Sequence, residues 1–197
     1  MTMTEPIQEM RVGEKIKRLR EDRAMSLEEM SKKTGLSTSV LSQLENHLVS
    51  PPLGTLIKIA RAFEVPVGYF FRDQPEQDPF CLVREHERQK VSRFASKDGV
   101  NYGYSYESLG YGKKGRHLEP FVVTLTPATY GRADLSAHAG EEFLYVLEGE
   151  VEVALGDHTD LLHPHDSIYY DATIPHRVAC AQGPSAKIVA VIWTPES

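Results

Sequence analysis

Apolar positions recur every three or four residues along the first third of the chain and every second residue along much of the remainder. Helices are therefore predicted first and strands after them. Val12, Ile16, Leu19 and Arg20 define a first amphipathic segment, with Lys15, Lys17 and Arg18 on its wet face. Ser26 followed by Glu29 is the pair that satisfies free N–H groups at a helix start, and Thr34-Gly35 supplies a left-handed stop. Ser37 caps a third helix over "STSVLSQLEN"; "TLIKIARAFEV" forms a fourth and "PVGYFF" a short fifth.

The texture changes at Asp73. "RDQPEQDP" is polar and proline-bearing, as linkers are, while the charged "CLVREHERQKVSRFAS" fits a helix, an arm or an early strand equally. Beyond Gly99 come seven β-type runs: "YGYSYESLG", "EPFVVTLTP", "EEFLYVLEG", "EVEVALG", "DSIYYDA", "HRVACA" and "AKIVAVIW". Turn residues separate them, which predicts a sandwich or barrel. Glu148-Gly149 reads as a tight turn between a strand and a returning strand; in the latter Val151, Val153 and Leu155 alternate with Glu150 and Glu152. The expected fold class is α+β as two domains: an all-α bundle over 1–72, a linker or arm over 73–98, and an all-β domain over 99–197.

Composition narrows the class. The chain has 197 residues, 41% hydrophobic and 25% charged, as soluble globular proteins do. No apolar run approaches the ~20 residues of a membrane helix. "MTMTEPIQEM" lacks the basic flank and apolar stretch of a signal peptide, so the cytoplasm is expected. Cys81 and Cys180 form no disulfide framework and read as two buried thiols. The net charge of −6 is uneven: 11 Lys+Arg against 9 Asp+Glu through Arg72, then 11 against 19. An acidic whole argues against indiscriminate nucleic-acid binding, while a mildly basic first third leaves room for local DNA affinity.

Four residues, Thr34 to Ser37, join the second and third helices, as in a helix-turn-helix. The second helix of such a pair offers its N-terminal residues to base edges in the major groove. Val40, Leu41 and Leu44 are the inward set; Ser37, Thr38, Ser39, Ser42 and Gln43 are the candidate DNA contacts. Gln43 matches adenine in two hydrogen bonds, and short hydroxyl side chains let the helix sit deep. "SLEEMSKKTGLSTSVLSQLEN" and "PPLGTLIKIARAFEV" resemble the phage-repressor type of helix-turn-helix domain, the XRE family. His47 departs from it, standing where that family usually has glycine. So little positive charge makes one module a weak binder, and paired modules on a palindrome are the remedy, so a homodimer or higher homo-oligomer joined through the β-domain is expected.

Two stretches of the β-domain, "SAHAGEEFLYVLEGEVEVALG" and "HDSIYYDATIPHRVACA", resemble the two sequence motifs of the cupin family, a small double-sheet barrel. His138, Glu142 and Gly149 match the first motif and His176, after Pro175, matches the second. Ser136 stands in place of the first motif's leading histidine, and His165 in place of the second's glycine. The resemblance implies a barrel over roughly Tyr102 to Trp193 and a metal site of His138, Glu142 and His176. Two imidazoles and a carboxylate hold one face of an ion and leave the rest open. Fe(II), Mn, Ni and Zn all fit that set. The alternative is a vestigial site in which the three bond to one another beside an organic ligand or nothing. His163 and His165 fall on a turn, and His47, His86, His117 and His158 read as surface residues. Tyr102, Tyr104 and Tyr106 share a strand face; Tyr104 and Tyr106 are candidate ligand-binding residues, with packing on the sheet as the plainer reading.

A repressor-type head on a cupin resembles two groups. In one, bacterial transcription regulators, the cupin senses a small molecule and the helices bind an operator. In the other, the hydroxypropylphosphonate epoxidases, the same two domains make a mononuclear iron enzyme. Ala24 and Leu135 stand where the resemblance to that enzyme implies a lysine and an asparagine for holding a phosphonate. The expected function is therefore a sequence-specific regulator with a double-stranded DNA operator, a small-molecule effector and no membrane partner. An iron-dependent oxygenase is the alternative.

Overall fold

The computed structural model describes residues 12–46, 48, 51, 53–65, 67–71, 79–90, 103–113, 115–127 and 135–195. The expectations for His47, Tyr102 and most of the linker fall outside them.

The head consists of α1 (Val12–Asp22), α2 (Leu27–Thr34), α3 (Thr38–Glu45), α4 (Leu53–Ala62) and a 3-10 helix, Val67–Phe71. Its boundaries are set by the local chemistry expected of them. Ser26 accepts a hydrogen bond from the Glu29 N–H at 3.2 Å, and the Glu29 carboxylate accepts from the Ser26 N–H at 2.7 Å. Gly35 ends α2 at φ 70°, a backbone angle that favours glycine. Ile16, Met30, Leu41, Leu44, Leu56, Ile59 and Phe63 are buried and close the bundle. Arg20, on the edge of the apolar stripe, forks onto Glu45 at 2.6 and 2.8 Å and donates to the Met25 carbonyl, tying α1 to α3.

Seven antiparallel strands follow among the described residues: β1 (Gln89–Lys90), β2 (Tyr104–Ser108), β3 (Leu118–Leu125), β4 (Glu141–Leu155), β5 (His158–Leu162), β6 (Ser167–Asp171) and β7 (His176–Trp193). The order is β1-β2-β3-β7-β4-β5, with β6 also on β4. The described part of the charged stretch after Cys81, which ends at Lys90, forms a 3-10 turn, Glu85–Glu87, followed by β1.

The tight turn expected at Glu148-Gly149 is corrected. The chain runs straight on as β4, and both halves pair with β7 through register shifts between Val146 and Val151. Gly149, at φ 75°, is needed because β7 crosses so close: a Cβ there would lie 2.7 Å from the Ser185 carbonyl oxygen. A bulge with a positive φ and a turn present the same residue types. "HRVACA" and "AKIVAVIW" likewise join into one strand. The reversal occurs later, at Gly156-Asp157, where Leu155 pairs with His158 and starts the unanticipated β5.

Leu144, Val146, Val151, Val153, Ile188, Ala190 and Ile192 line the buried face of the β4–β7 ribbon. The head packs on this domain at two glycines. Gly54, in the first turn of α4, is buried against Ser136 and His138, and Gly68 lies on the buried Arg116–Glu119 ion pair.

Candidate metal centre and DNA-reading helix

Backbone pairing gathers three distant residues. Ser136 and His176 exchange N–H···O bonds of 2.9 and 2.8 Å, and the His138 N–H donates to Ala172 at 2.9 Å. These stitches hold the segment before β4 against the start of β7. Glu142 follows on β4, on the inner face between Tyr170 and Ile192. His138 Nε2 then lies 2.9 Å from Glu142 Oε1, and His176 Nε2 lies 3.8 Å from the same oxygen. One ligand atom from each residue falls within 4.8 Å of the others. All three residues are buried, although polar groups of this kind are rarely buried without partners.

Each imidazole is oriented by its other nitrogen. Nδ1 of His138 contacts the Ala139 carbonyl at 3.2 Å and Nδ1 of His176 the Ile174 carbonyl at 2.8 Å. A carbonyl only accepts, so these contacts place hydrogen on Nδ1 and turn Nε2 toward the centre. A lone pair 2.9 Å from a carboxylate oxygen calls for a cation between or beside them, either a second proton on the ring or a metal ion. Burial pushes the Glu142 carboxyl upward, but the His138 hydrogen bond, the nearby His176 and the Tyr170 hydroxyl outweigh it, so it titrates below its ordinary range. Once His138 gives up that Nε2 proton, an anion facing two lone-pair donors is a donor set that fits a divalent transition metal.

Of the two candidate tyrosines, Tyr104 is close enough to the centre to feel the Glu142 charge. Its hydroxyl donates to the Val178 carbonyl at 2.6 Å. Burial pushes it up to about 12, with Arg177 opposing and Glu142 adding to the shift. Tyr106 is deeper: it is buried, stacks parallel to Tyr104 at 6.1 Å and meets Phe121 edge-on. Sequence reasoning missed Tyr170, whose hydroxyl donates to Glu142 Oε2. "DSIYYDA" shows an alternating strand, but only the register with β4 reveals that Tyr170 stands opposite Glu142. His163 and His165 are exposed, as expected; Cys81 and Cys180 are free but half-buried rather than buried.

On the head, Leu41 and Leu44 are buried while Thr38 and Ser39 are exposed on the first turn of α3. Ser42 and Gln43 are half-buried on the next turn. Ser37 accepts from the Val40 N–H at 3.2 Å, so its oxygen caps the helix, and its hydroxyl proton is what it has to offer outward. The Asn46 amide donates to the Ser42 carbonyl at 2.8 Å and holds the end of α3.

Comparison with known proteins places both halves. Residues 16–70 match the helix-turn-helix family and residues 121–192 the cupin domain family. The HTH-type transcriptional regulator SutR of Escherichia coli is 36% identical over 161 residues, 82% of each chain. The (S)-2-hydroxypropylphosphonic acid epoxidase of Streptomyces wedmorensis is 38% identical over 101 residues, 48% of this chain and 50% of the enzyme. An HTH_3 family transcriptional regulator from Vibrio cholerae has the same fold, with a TM-score of 0.64 and 24% identity over 94% of this chain and 96% of its own. With family models matching both domains and a regulator 36% identical over 82% of the chain, the protein belongs to the HTH-type transcriptional regulators, with a cupin domain behind its helix-turn-helix head.

Proposed function

We propose that the cupin of this regulator is a sensor: a divalent transition metal held by His138, Glu142 and His176, together with a small-molecule effector beside Tyr104 and Tyr106, sets the affinity of the head for its operator. The observation that carries the reading is the meeting of three buried ligand atoms within 4.8 Å, on a segment that the head itself touches through Gly54. A bound metal supplies open positions for an oxygen or nitrogen donor of the effector. The protein residues orient the site: backbone carbonyls aim both imidazoles, and all three side chains are buried. Fe(II), Mn(II), Ni(II) and Zn(II) all suit these donors.

In the head, Thr38 and Ser39 lead into the major groove, Gln43 and Ser42 follow one turn later, and Ser37 reaches a backbone phosphate. The working division is 1–72 for reading, 73–98 for connection and 99–197 for sensing, in the cytoplasm where an operator is found. Two half-sites need two heads. The outward face of β4, β6 and β7 carries Phe143, Tyr169, Val191 and Trp193, with Tyr169 and Trp193 exposed, and suits association with a second copy. An effector switches the protein only by favouring one arrangement of the heads over another.

The oxygenase reading is favoured by the His-Glu-His set and by the similarity to the epoxidase, 38% identical over 101 residues. It is weakened at the substrate-holding positions, where Leu135 is 42% exposed and Ala24 carries no charge. The deciding experiment is a gel shift on the DNA upstream of the protein's own reading frame, at low salt with non-specific competitor, with and without chelator. A specific shift that responds to metal supports the sensor. Turnover of oxygen by the iron-loaded protein without any specific shift supports the enzyme.

A further inference from the structure

The three candidate ligands do not account for every buried polar contact at the centre. Tyr170, 5% exposed, stands directly opposite Glu142 in the β4–β6 register. Its ring lies 5.2 Å from that of His176, and its hydroxyl donates to Glu142 Oε2. The other carboxylate oxygen, Oε1, is the one facing Nε2 of His138 and Nε2 of His176. The two oxygens of one carboxylate thus have different surroundings, one phenolic and one between imidazoles.

We propose that Tyr170 is a positioning residue: by holding Oε2 it makes Glu142 present a single oxygen to the metal. This inference rests on the metal-centre reading above. A carboxylate free at both oxygens can close on an ion through two bonds and remove one open position. A carboxylate held at one oxygen by a buried phenol offers only the other. With two imidazoles and one oxygen from the protein, half of an octahedral shell stays open, enough for a chelating effector to bind through two atoms at once. Outer hydrogen bonds of this kind commonly set ligand orientation and affinity.

The test uses the full-length protein and Mn(II) alone, counting inner-sphere waters by proton relaxation enhancement. Wild type is expected to hold about three, the six positions of an octahedral ion less two imidazoles and one oxygen. Tyr170→Phe, which keeps the ring and removes the hydroxyl, is expected to lose about one water as the second oxygen enters, with Mn(II) affinity changed by roughly ten- to a hundred-fold. A role in packing alone lowers affinity and leaves the water count unchanged; an unchanged count overturns the proposal. About two waters on the wild type also overturns it, and that result needs no variant to fold. Failure of the wild type to take up Mn(II), Fe(II), Ni(II) or Zn(II) removes the metal reading and this inference with it. Mn(II) uptake with an unaltered water count removes this inference alone.

Discussion

Gly54 is where the head and the cupin domain touch beside the candidate metal centre, and its missing side chain makes that contact testable. A Cβ at this position would lie 2.9 Å from Ser136 Oγ, 3.1 Å from Ser136 Cβ and 3.6 Å from His138 Cδ2. The first two distances are too close for comfortable packing. The serine hydroxyl can rotate away, but its Cβ moves only with a backbone that is paired to His176 on both sides. Gly54→Ala therefore pushes on the docked arrangement, and Gly54→Val pushes harder. Overpacking of this kind costs about 1–3 kcal/mol, which shifts the balance between docked and separated heads by about 5–150-fold. The opposite effect acts within the helix, where alanine is favoured over glycine by up to about 1 kcal/mol. The head should keep its fold while its contact with the barrel weakens. The assay is hydrogen exchange on the full-length protein, following the peptides that contain residues 53–57 and 135–140, beside operator gel shifts with and without metal. Faster exchange in both peptides is expected in Gly54→Val, with a smaller metal response on DNA. Wild-type exchange and an undiminished metal response in Gly54→Val would refute the idea that the site acts through this contact.

Other residues give independent tests. Glu142→Gln keeps the size of the side chain and removes the anion, so metal uptake measured by elemental analysis after reloading should fall at least about tenfold; full occupancy in this variant removes Glu142 from the site. Gln43→Ala with Ser42→Ala should weaken specific operator binding by about 1–3 kcal/mol with little change in melting temperature, and unchanged footprints would mean that a different face reads the DNA. Glu45→Ala takes away the carboxylate onto which the Arg20 guanidinium forks and leaves it the Met25 carbonyl and the more exposed Glu21; the Arg20 side chain is 14% exposed against 4% for that of Glu45. Exposed pairs contribute about 0–1 kcal/mol and breaking buried ones costs about 3–5, so a loss of about 2–3 kcal/mol in urea unfolding is expected; a loss under about 0.5 kcal/mol would show that α1 and α3 hold together without the pair. Chelation followed by dialysis should change operator affinity in the wild type and leave it unchanged in His176→Ala.

Much of the head was legible because its signals are local. A capping box lies within one turn, a left-handed stop needs one glycine, and an apolar stripe repeats within two turns. Ser26, Glu29, Gly35 and Ser37 therefore sit where they were expected. The strands were less legible where a short-range signal has two meanings. Gly149 fits a hairpin turn and a bulge equally well, and the choice depended on the close passage of Ser185 and Ala186, which no local pattern contains. The two-residue turn at Gly156-Asp157 was readable in principle, but β5 is exposed over most of its length and lacks clean alternation.

The sequence alone determined that helices come first and strands after them, and it picked out a candidate reading helix and His138, Glu142 and His176 as residues of metal-binding type. Only the tertiary structure decided that their ligand atoms converge, that Tyr170 occupies the far oxygen of Glu142, and that Gly54 bears on the same segment. Propensity and capping act within a few residues of chain. Convergence depends on the register of β4 against β6 and β7, and a slip of one residue would turn Glu142 to the opposite face of the sheet.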